Sequence, residues 1–356
     1  MPLIDVSGEQ AISIRDVLFA AFPTEPQFIE VMTQANRNLD GVSGAGQPLP
    51  TRILEAVKTA AANNWLLDLL GAAVEKNPRD PALKALEDEF KIKAPPANIS
   101  PYHMCRLGGG TVMVNRADLR DAVEEMREDE QGRRILLIRG DSRSGKSHSL
   151  QLITFIKQVK GGFEPIAIDL DPRRDDATRL VITAADLAER LIRLSGYPLA
   201  VPSPPTDRQW SKWVQSFGDD FARYAGADQA RRWIVIDGMN KVLLDQSAVD
   251  LIQELAMRIY SSLPGMRLVL VGYEQTLPAT ILPYVQLDQP GRLTKEDLVT
   301  FFALVAQELR KTLDEDGVVE IVERVTAHID MASSDYLMNL GPLVVNEVVT
   351  LRRRPS

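Results

Sequence analysis

Apolar residues recur at helical spacing through the first 93 positions. Ser7 is followed three residues later by Gln10, a capping-box signal. Ile14, Val17, Leu18, Ala21 and Phe22 then form one apolar stripe. The spacing predicts a second helix over 26–39, a Gly-rich loop GVSGAGQPLP, and a third helix over 52–63. Trp65, Leu66, Leu69, Leu70, Ala73 and Val74 mark a fourth, which stops at Asn77-Pro78. Asp80 as cap and Pro81 at the first helical position open another. No strand-like alternation interrupts this stretch, so it reads as a compact all-helical bundle of five or six helices.

The pattern changes after the linker-like segment APPANISPYH at 94–103, where proline and small polar residues break both periodicities. Short β-rich runs then alternate with helical segments, which points to a parallel α/β sheet. Strands are predicted over 111–114, 135–139, 165–169, 233–237, 267–271 and 284–287. From Thr294 the chain is helical again: Thr294 and Asp297 form a cap signature, followed by Leu298, Phe301, Phe302, Leu304 and Val305. Further helices are predicted over 317–329 and 343–352. The expected organisation is a helical domain over 1–93, a linker over 94–103, an α/β core over 104–292 and a small helical lid over 293–356.

Composition narrows the function classes. A chain of 356 residues suggests two or three domains. One Cys and three His exclude a disulfide framework and leave too few soft ligands for a zinc finger or an iron–sulfur cluster. The first residues lack a basic segment followed by an apolar one, and no run approaches the ~20 apolar residues of a membrane span. A cytoplasmic protein without a membrane partner is expected. The formal net charge of -8 argues against a duplex-binding face, although Arg352, Arg353 and Arg354 make a short basic tail. Nucleic acid is not the expected partner.

The strongest motif is Gly140-Asp141-Ser142-Arg143-Ser144-Gly145-Lys146-Ser147, a full match to GxxxxGK[ST]. An apolar strand enters it and a helical stretch, 149–159, leaves it. Backbone N–H groups of such a loop point inward at phosphate oxygens, and the following helix offers its positive end. Lys146 can reach the β- and γ-phosphates of ATP, and the Ser147 hydroxyl can hold Mg²⁺. The bland alternative is a chance match in a Gly/Ser loop, which the flanking strand and helix oppose. His148 is counted with the loop, although its expected place is toward the helix surroundings.

Arg231-Arg232-Trp233-Ile234-Val235-Ile236-Asp237 reads as a neighbouring buried strand. Asp237 emerges at its carboxyl end, where parallel sheets bind ligands. Its expected role is magnesium binding; the alternative is a loop cap. Gly238 stands where many hydrolytic ATPases place a Glu that polarises the attacking water. Asp169, Asp171 and Glu274 are substitutes at that edge, Tyr273 is a candidate γ-phosphate sensor, and Arg143, Arg173 and Arg174 could meet a phosphate or a partner. Arg231, Arg232 and Arg267 fall at amino ends of strands and are expected to be solvated flanks.

On these motifs residues 104–356 resemble a STAND-type P-loop ATPase within the broad AAA/STAND group. Val112-Met113-Val114-Asn115-Arg116 with Leu119 resembles the segment that cradles adenine in such proteins, so the resemblance implies nucleotide contacts from Asn115 and Arg116. Gly341-Pro342-Leu343 resembles the glycine-proline element of the helical lid, implying that Pro342 packs near the nucleotide; a plain helix start is the alternative. Residues 1–93 resemble the type 1 effector-associated domain of bacterial conflict systems through Leu66-Leu67-Asp68-Leu69-Leu70-Gly71-Ala72-Ala73 and Asn77-Pro78-Arg79-Asp80-Pro81-Ala82-Leu83. That resemblance implies a death-fold-like adaptor pairing with a matching bundle on an effector or sensor protein. The alternative is a bundle that docks on its own ATPase domain.

The leading expectation is a nucleotide-dependent signalling switch that binds ATP and Mg²⁺ and acts as a weak or partner-activated ATPase. Its competitors are a non-hydrolysing nucleotide-binding scaffold, a small-molecule P-loop kinase, and a DNA-handling AAA-type ATPase, which the net charge opposes.

Overall fold

The computed structural model describes residues 6–63, 65–93, 99–108, 111–129, 132–140, 144–146, 148–171, 180–205, 209–228, 230–333 and 335–353. The five-residue stretch 94–98 of the expected linker, and Asp141, Ser142, Arg143, Ser147, Arg173, Arg174 and Arg354, lie outside the described residues. The chain forms two compact units, one of 1–113, 299–325 and 343–356, the other of 114–298 and 326–342.

The first unit opens with five helices: α1 (Gly8–Ala21), α2 (Glu25–Gln34), α3 (Leu49–Ala62), α4 (Leu66–Lys76) and α5 (Pro81–Lys93). The start signals read from the sequence are in place. Ser7 and Gln10 make the reciprocal capping box of α1, and the Asp80 carboxylate accepts from the N–H groups of Ala82 and Leu83 at 2.9 and 3.2 Å. The second helix ends five residues before the predicted position. Asn36 turns into the left-handed region at φ +57°, and the chain continues as a short 3-10 turn over Leu39–Gly41. The apolar stripes meet in one buried cluster that includes Ile14, Leu18, Phe28, Ile53, Val57, Leu69 and Phe90. Arg52 is buried among them; it pairs with Glu25 and Asp40 and donates to Ser43 Oγ at 3.1 Å.

Strands β1 (Arg106–Gly108) and β2 (Thr111–Val112) form an antiparallel hairpin in this unit. The run at 111–114 was expected to join the parallel sheet; its partner is instead the strand just before it. Glu308 is buried beside the hairpin and accepts from Cys105 N–H and from Arg106 Nε, the latter at 3.1 Å.

The second unit carries α6 (Ala117–Glu128), β3 (Ile135–Ile138), α7 (His148–Lys160), β4 (Glu164–Asp169), β5 (Val181–Ile182), α8 (Ala184–Ser195), α9 (Trp210–Ala227), β6 (Arg232–Asp237), β7 (Leu243–Leu244), α10 (Gln246–Ser261), β8 (Met266–Val271) and β9 (Val285–Asp288). Five strands form one parallel sheet in the order β4-β6-β8-β3-β9. The three central strands β6, β8 and β3 are buried on both faces, as near-continuous apolar strands require, while the edge strands β4 and β9 leave alternate residues exposed. Ile135, Leu137, Ile166, Ile168, Ile234, Ile236, Leu268 and Leu270 share a core with Leu187, Phe217, Phe221, Ile252 and Leu255 from α8, α9 and α10. The alternate residues Leu136, Ile138, Trp233, Val235, Val269 and Val271 are equally buried. On the Trp233 side, Phe163 stacks on the indole at 4.5 Å. The two-residue strands β5 and β7 pair with each other in parallel; they are too short to show any alternation in the sequence.

Three helices close the chain: α11 (Lys295–Glu308), α12 (Glu315–Thr326) and α13 (Tyr336–Arg353). Thr294 and Asp297 cap α11 reciprocally, at 2.8 Å from Thr294 N–H and 3.2 Å from Asp297 N–H. The last helix begins at Tyr336, not near 343, so Pro342 lies inside it and is exposed. A proline there has no N–H to give the carbonyl of Met338 one turn back. The reading of Pro342 as a first helical residue is thereby corrected.

Candidate nucleotide-binding site

The sheet order fixes where a ligand can sit. β3 is the first of the five sheet strands in the chain but lies between β8 and β9, so the chain goes from it to the far edge at β4, returns through β6 and β8, and then crosses over it to β9. In open parallel sheets the crevice at such a switch point, beyond the carboxyl ends of the strands, is the ligand site. The motif loop leaves β3 at that end and returns as α7.

Four loop residues are described. Lys146 is 7% exposed, and its ammonium donates to the Gly140 carbonyl at 2.6 Å and approaches Ser144 Oγ at 3.5 Å. The Gly145 carbonyl accepts from His148 N–H at 3.1 Å, which closes the turn into α7. Desolvation, then the nearby Arg116 charge, holds the His148 imidazole below its ordinary value, while its bond to the Gly145 backbone acts in the opposite sense. Both larger influences favour the neutral ring.

Arg116 and Asn115 both adopt left-handed conformations, φ +70° and +57°. The Arg116 guanidinium donates to the Gly145 carbonyl at 3.2 Å and to Ser149 Oγ at 3.2 Å, and it forms an ion pair with Asp288 at the end of β9. Asn115 Nδ2 donates to Asp297 Oδ1 at 2.6 Å. Arg116 is thus engaged with the loop's backbone at Gly145. Burial pushes the Asp288 carboxyl up, against the pull of Arg116.

Asp237 ends β6 and stands in register with Asp169 at the end of β4. Its Oδ1 accepts from Gly238 N–H at 2.6 Å. β6 is not the immediate neighbour of β3, because β8 runs between them. At about 4.8 Å per strand, Asp237 is roughly 10 Å across the sheet from the loop's strand.

Two of the other edge carboxylates are engaged locally. Asp169 Oδ1 accepts from Asp171 N–H at 2.9 Å, Asp171 pairs with Lys241, and Glu274 is exposed. Tyr273 turns into the apolar core with Leu277 and Ile281, and burial pushes its hydroxyl up to about 12. It is a core residue, not one presented at the edge. Arg267 also departs from expectation. It is 3% exposed, and its guanidinium caps the carbonyls of Met126, Asp129, Pro264 and Met266 at 2.7 to 3.2 Å. Arg232 pairs with Asp228 at 2.9 Å, and Arg231 donates to the Arg127 carbonyl at 3.2 Å.

Several contributors were invisible in the sequence. Arg139, just after β3, holds the segment beyond β8 through the carbonyls of Tyr273 and Gln275 at 3.0 and 2.8 Å. Asp288 gave a faint signal, as an acid closing the alternating strand Val285–Asp288. Asn240 lies in the short turn Met239–Lys241 after β6, against the backbone of Gly272.

Comparison with known proteins bears on the two parts differently. No curated protein matches the sequence. Among solved structures, the Walker-type ATPase PABY2304 of Pyrococcus abyssi aligns with 16% identity and a TM-score of 0.35 over 68% of this chain and 68% of that one. The ORC2 protein of Aeropyrum pernix in its ADP form aligns with 12% identity and a TM-score of 0.34 over 71% of this chain and 65% of that one. Residues 4–91 match the family model of effector-associated domain 1. That match covers the N-terminal helical segment, which precedes a parallel α/β core that carries the P-loop sequence.

Proposed function

We propose that this chain is an ATP-dependent signalling switch of a bacterial conflict or defence system, coupled to an effector or sensor protein through its effector-associated domain. The observation that supports it best is the buried Lys146 ammonium, turned onto the Gly140 carbonyl at the carboxyl end of the switch-point strand. A buried ammonium in a loop of this sequence suits a polyphosphate, because such an anion offers it strong, charge-assisted hydrogen bonds. Gly140, Ser144, Gly145 and Lys146 would hold ATP together with the loop's other residues, and Ser147 and Asp237 would hold magnesium. That ion, when bound, neutralises charge on the β- and γ-oxygens. Hydrolysis is slow in this reading, since Gly238 brings no carboxylate. The same glycine favours the second reading, a nucleotide-binding scaffold without turnover. Coupling to the effector proceeds through a matching adaptor domain, and the nucleotide acts by its differential affinity for two arrangements of the chain.

Calorimetry with ATP and magnesium tests the nucleotide site. Lys146→Ala should weaken binding by about tenfold or more, since a charged hydrogen bond contributes about 1.5–3 kcal/mol. Its thermal unfolding should stay that of the parent. Unchanged affinity in the variant would overturn the assignment.

A further inference from the structure

Between Asp237 and the loop, the carboxyl edge of the sheet is formed by the end of β8, and the residue just after Val271, the last of that strand, is a glycine. Gly272 has φ +76°, and its N–H donates to the Ile138 carbonyl at 2.8 Å. Ile138 is two residues before Gly140, the acceptor of the Lys146 ammonium. A Cβ on Gly272 would stand 2.7 Å from Asn240 Oδ1 and 3.0 Å from its Cγ. The carboxamide of Asn240 therefore fills the place a side chain at the end of β8 would take. Gly238 leaves the residue after Asp237 bare as well. The turn Met239–Lys241, closed by Lys241 N–H on the Gly238 carbonyl at 2.9 Å, carries Asn240 across from β6 to that position.

We propose that Asn240 is a catalytic residue for ATP hydrolysis, its carboxamide orienting the attacking water toward the γ-phosphate. The proposal rests on the nucleotide reading above. In the step, the water oxygen bonds to the γ-phosphorus. The bond from that phosphorus to the β,γ-bridging oxygen breaks, and its electron pair leaves with ADP. A carboxamide is not a base at neutral pH, so the water's proton passes to a γ-phosphate oxygen. Asn240 contributes position and a dipole only, as a glutamine does in several GTPases. Slow turnover is the natural consequence, because a carboxamide does not take the proton in the transition state.

The competing role is packing: Asn240 could do no more than seat the turn on β8. Full-length chains with Asn240→Ala and Asn240→Leu separate the two. Three quantities are measured: ATP–magnesium affinity by calorimetry, thermal unfolding, and release of labelled phosphate from γ-labelled ATP over hours. Both variants should bind within about threefold of the parent, a difference below 1 kcal/mol, and unfold at the parent's temperature. Phosphate release should fall at least about tenfold, toward the 10²–10³ seen when one positioned amide is removed from an active site. Release unchanged in either folded variant overturns the proposal, as does release that falls only in proportion to binding. Unfolding of both variants assigns Asn240 to packing and also overturns it. A parent that binds ATP but releases no phosphate removes the proposal and leaves the scaffold reading standing. A parent that binds no ATP removes the nucleotide reading itself.

Discussion

Gly238 adopts φ +82°, and a Cβ built there would stand 2.8 Å from the backbone nitrogen of Asp171. A left-handed non-glycine residue costs about 1–3 kcal/mol before any collision is counted, and here the colliding atom belongs to the backbone. The missing glutamate after Asp237 thus has a local cause: the backbone at this point admits no side chain. Gly238→Glu is therefore expected to lower stability by at least that amount and to leave phosphate release no faster than in the parent. Chemical denaturation and a phosphate-release assay check both. The sequence shows that the carboxylate is absent but not why, because the reason is a close approach of the segment after β4. Arg267 and Tyr273 mislead for the same kind of reason. Their sequence positions at strand ends are as read. What they do there depends on carbonyls of α6 and its C-terminal turn for the arginine, and on an apolar pocket for the tyrosine.

At the scale of elements, the Arg116–Asp288 pair links the start of α6, the end of β9 and the phosphate loop. Both side chains are nearly buried, at 9% and 4% exposure. Removing one partner of such a pair leaves an uncompensated charge, at a cost of about 3–5 kcal/mol. Asp288→Asn should cost well below that, because burial already penalises the ionised carboxylate and Arg116 keeps its bonds to Gly145 and Ser149. The double replacement Arg116→Met with Asp288→Leu should cost much less than the two single changes added together. A denaturation cycle over the four proteins measures the difference. The pH dependence has a defined sign. The folded carboxyl of Asp288 is raised, chiefly by burial. Its contribution to stability is therefore fully present below the ordinary carboxylate value and is lost as pH rises through the raised one. Asp288→Asn should abolish that slope. Elements with a strong period were legible in the sequence: α1, α5, α11 and the strands β3, β4, β6 and β8 begin within a residue of their signals. The failures are those where a distant partner decides. Thr111–Val112 pairs with a strand that its own alternation cannot reveal. The start of α13 was masked by Pro342, which reads as a helix beginning although the helix tolerates it in its exposed interior.

For the whole molecule, the question is whether the effector-associated domain is a folding unit in its own right. Its buried apolar cluster is drawn wholly from residues between Ala11 and Phe90. The Arg52 charge is answered by Glu25 and Asp40 from the same helices and their connections. A bundle of this length can bury enough surface to fold alone, though with a modest margin. Residues 1–93 expressed alone should therefore unfold cooperatively by circular dichroism with a helical baseline. Arg52→Met should test the internal pairing. It removes the charge that two exposed carboxylates answer, so the loss should be smaller than for a fully buried pair, about 1–3 kcal/mol. Non-cooperative melting of the fragment would show that its core needs other parts of the first unit. A folded fragment then permits the functional measurement. If the domain is an adaptor, it should capture a protein bearing a second effector-associated domain, and capture should survive Lys146→Ala in the full chain, because that change lies in the other unit. Control by nucleotide would appear only in the full chain, as a difference in capture with and without ATP that Lys146→Ala removes. Capture that is identical in all four conditions would leave the adaptor in place and remove the switch.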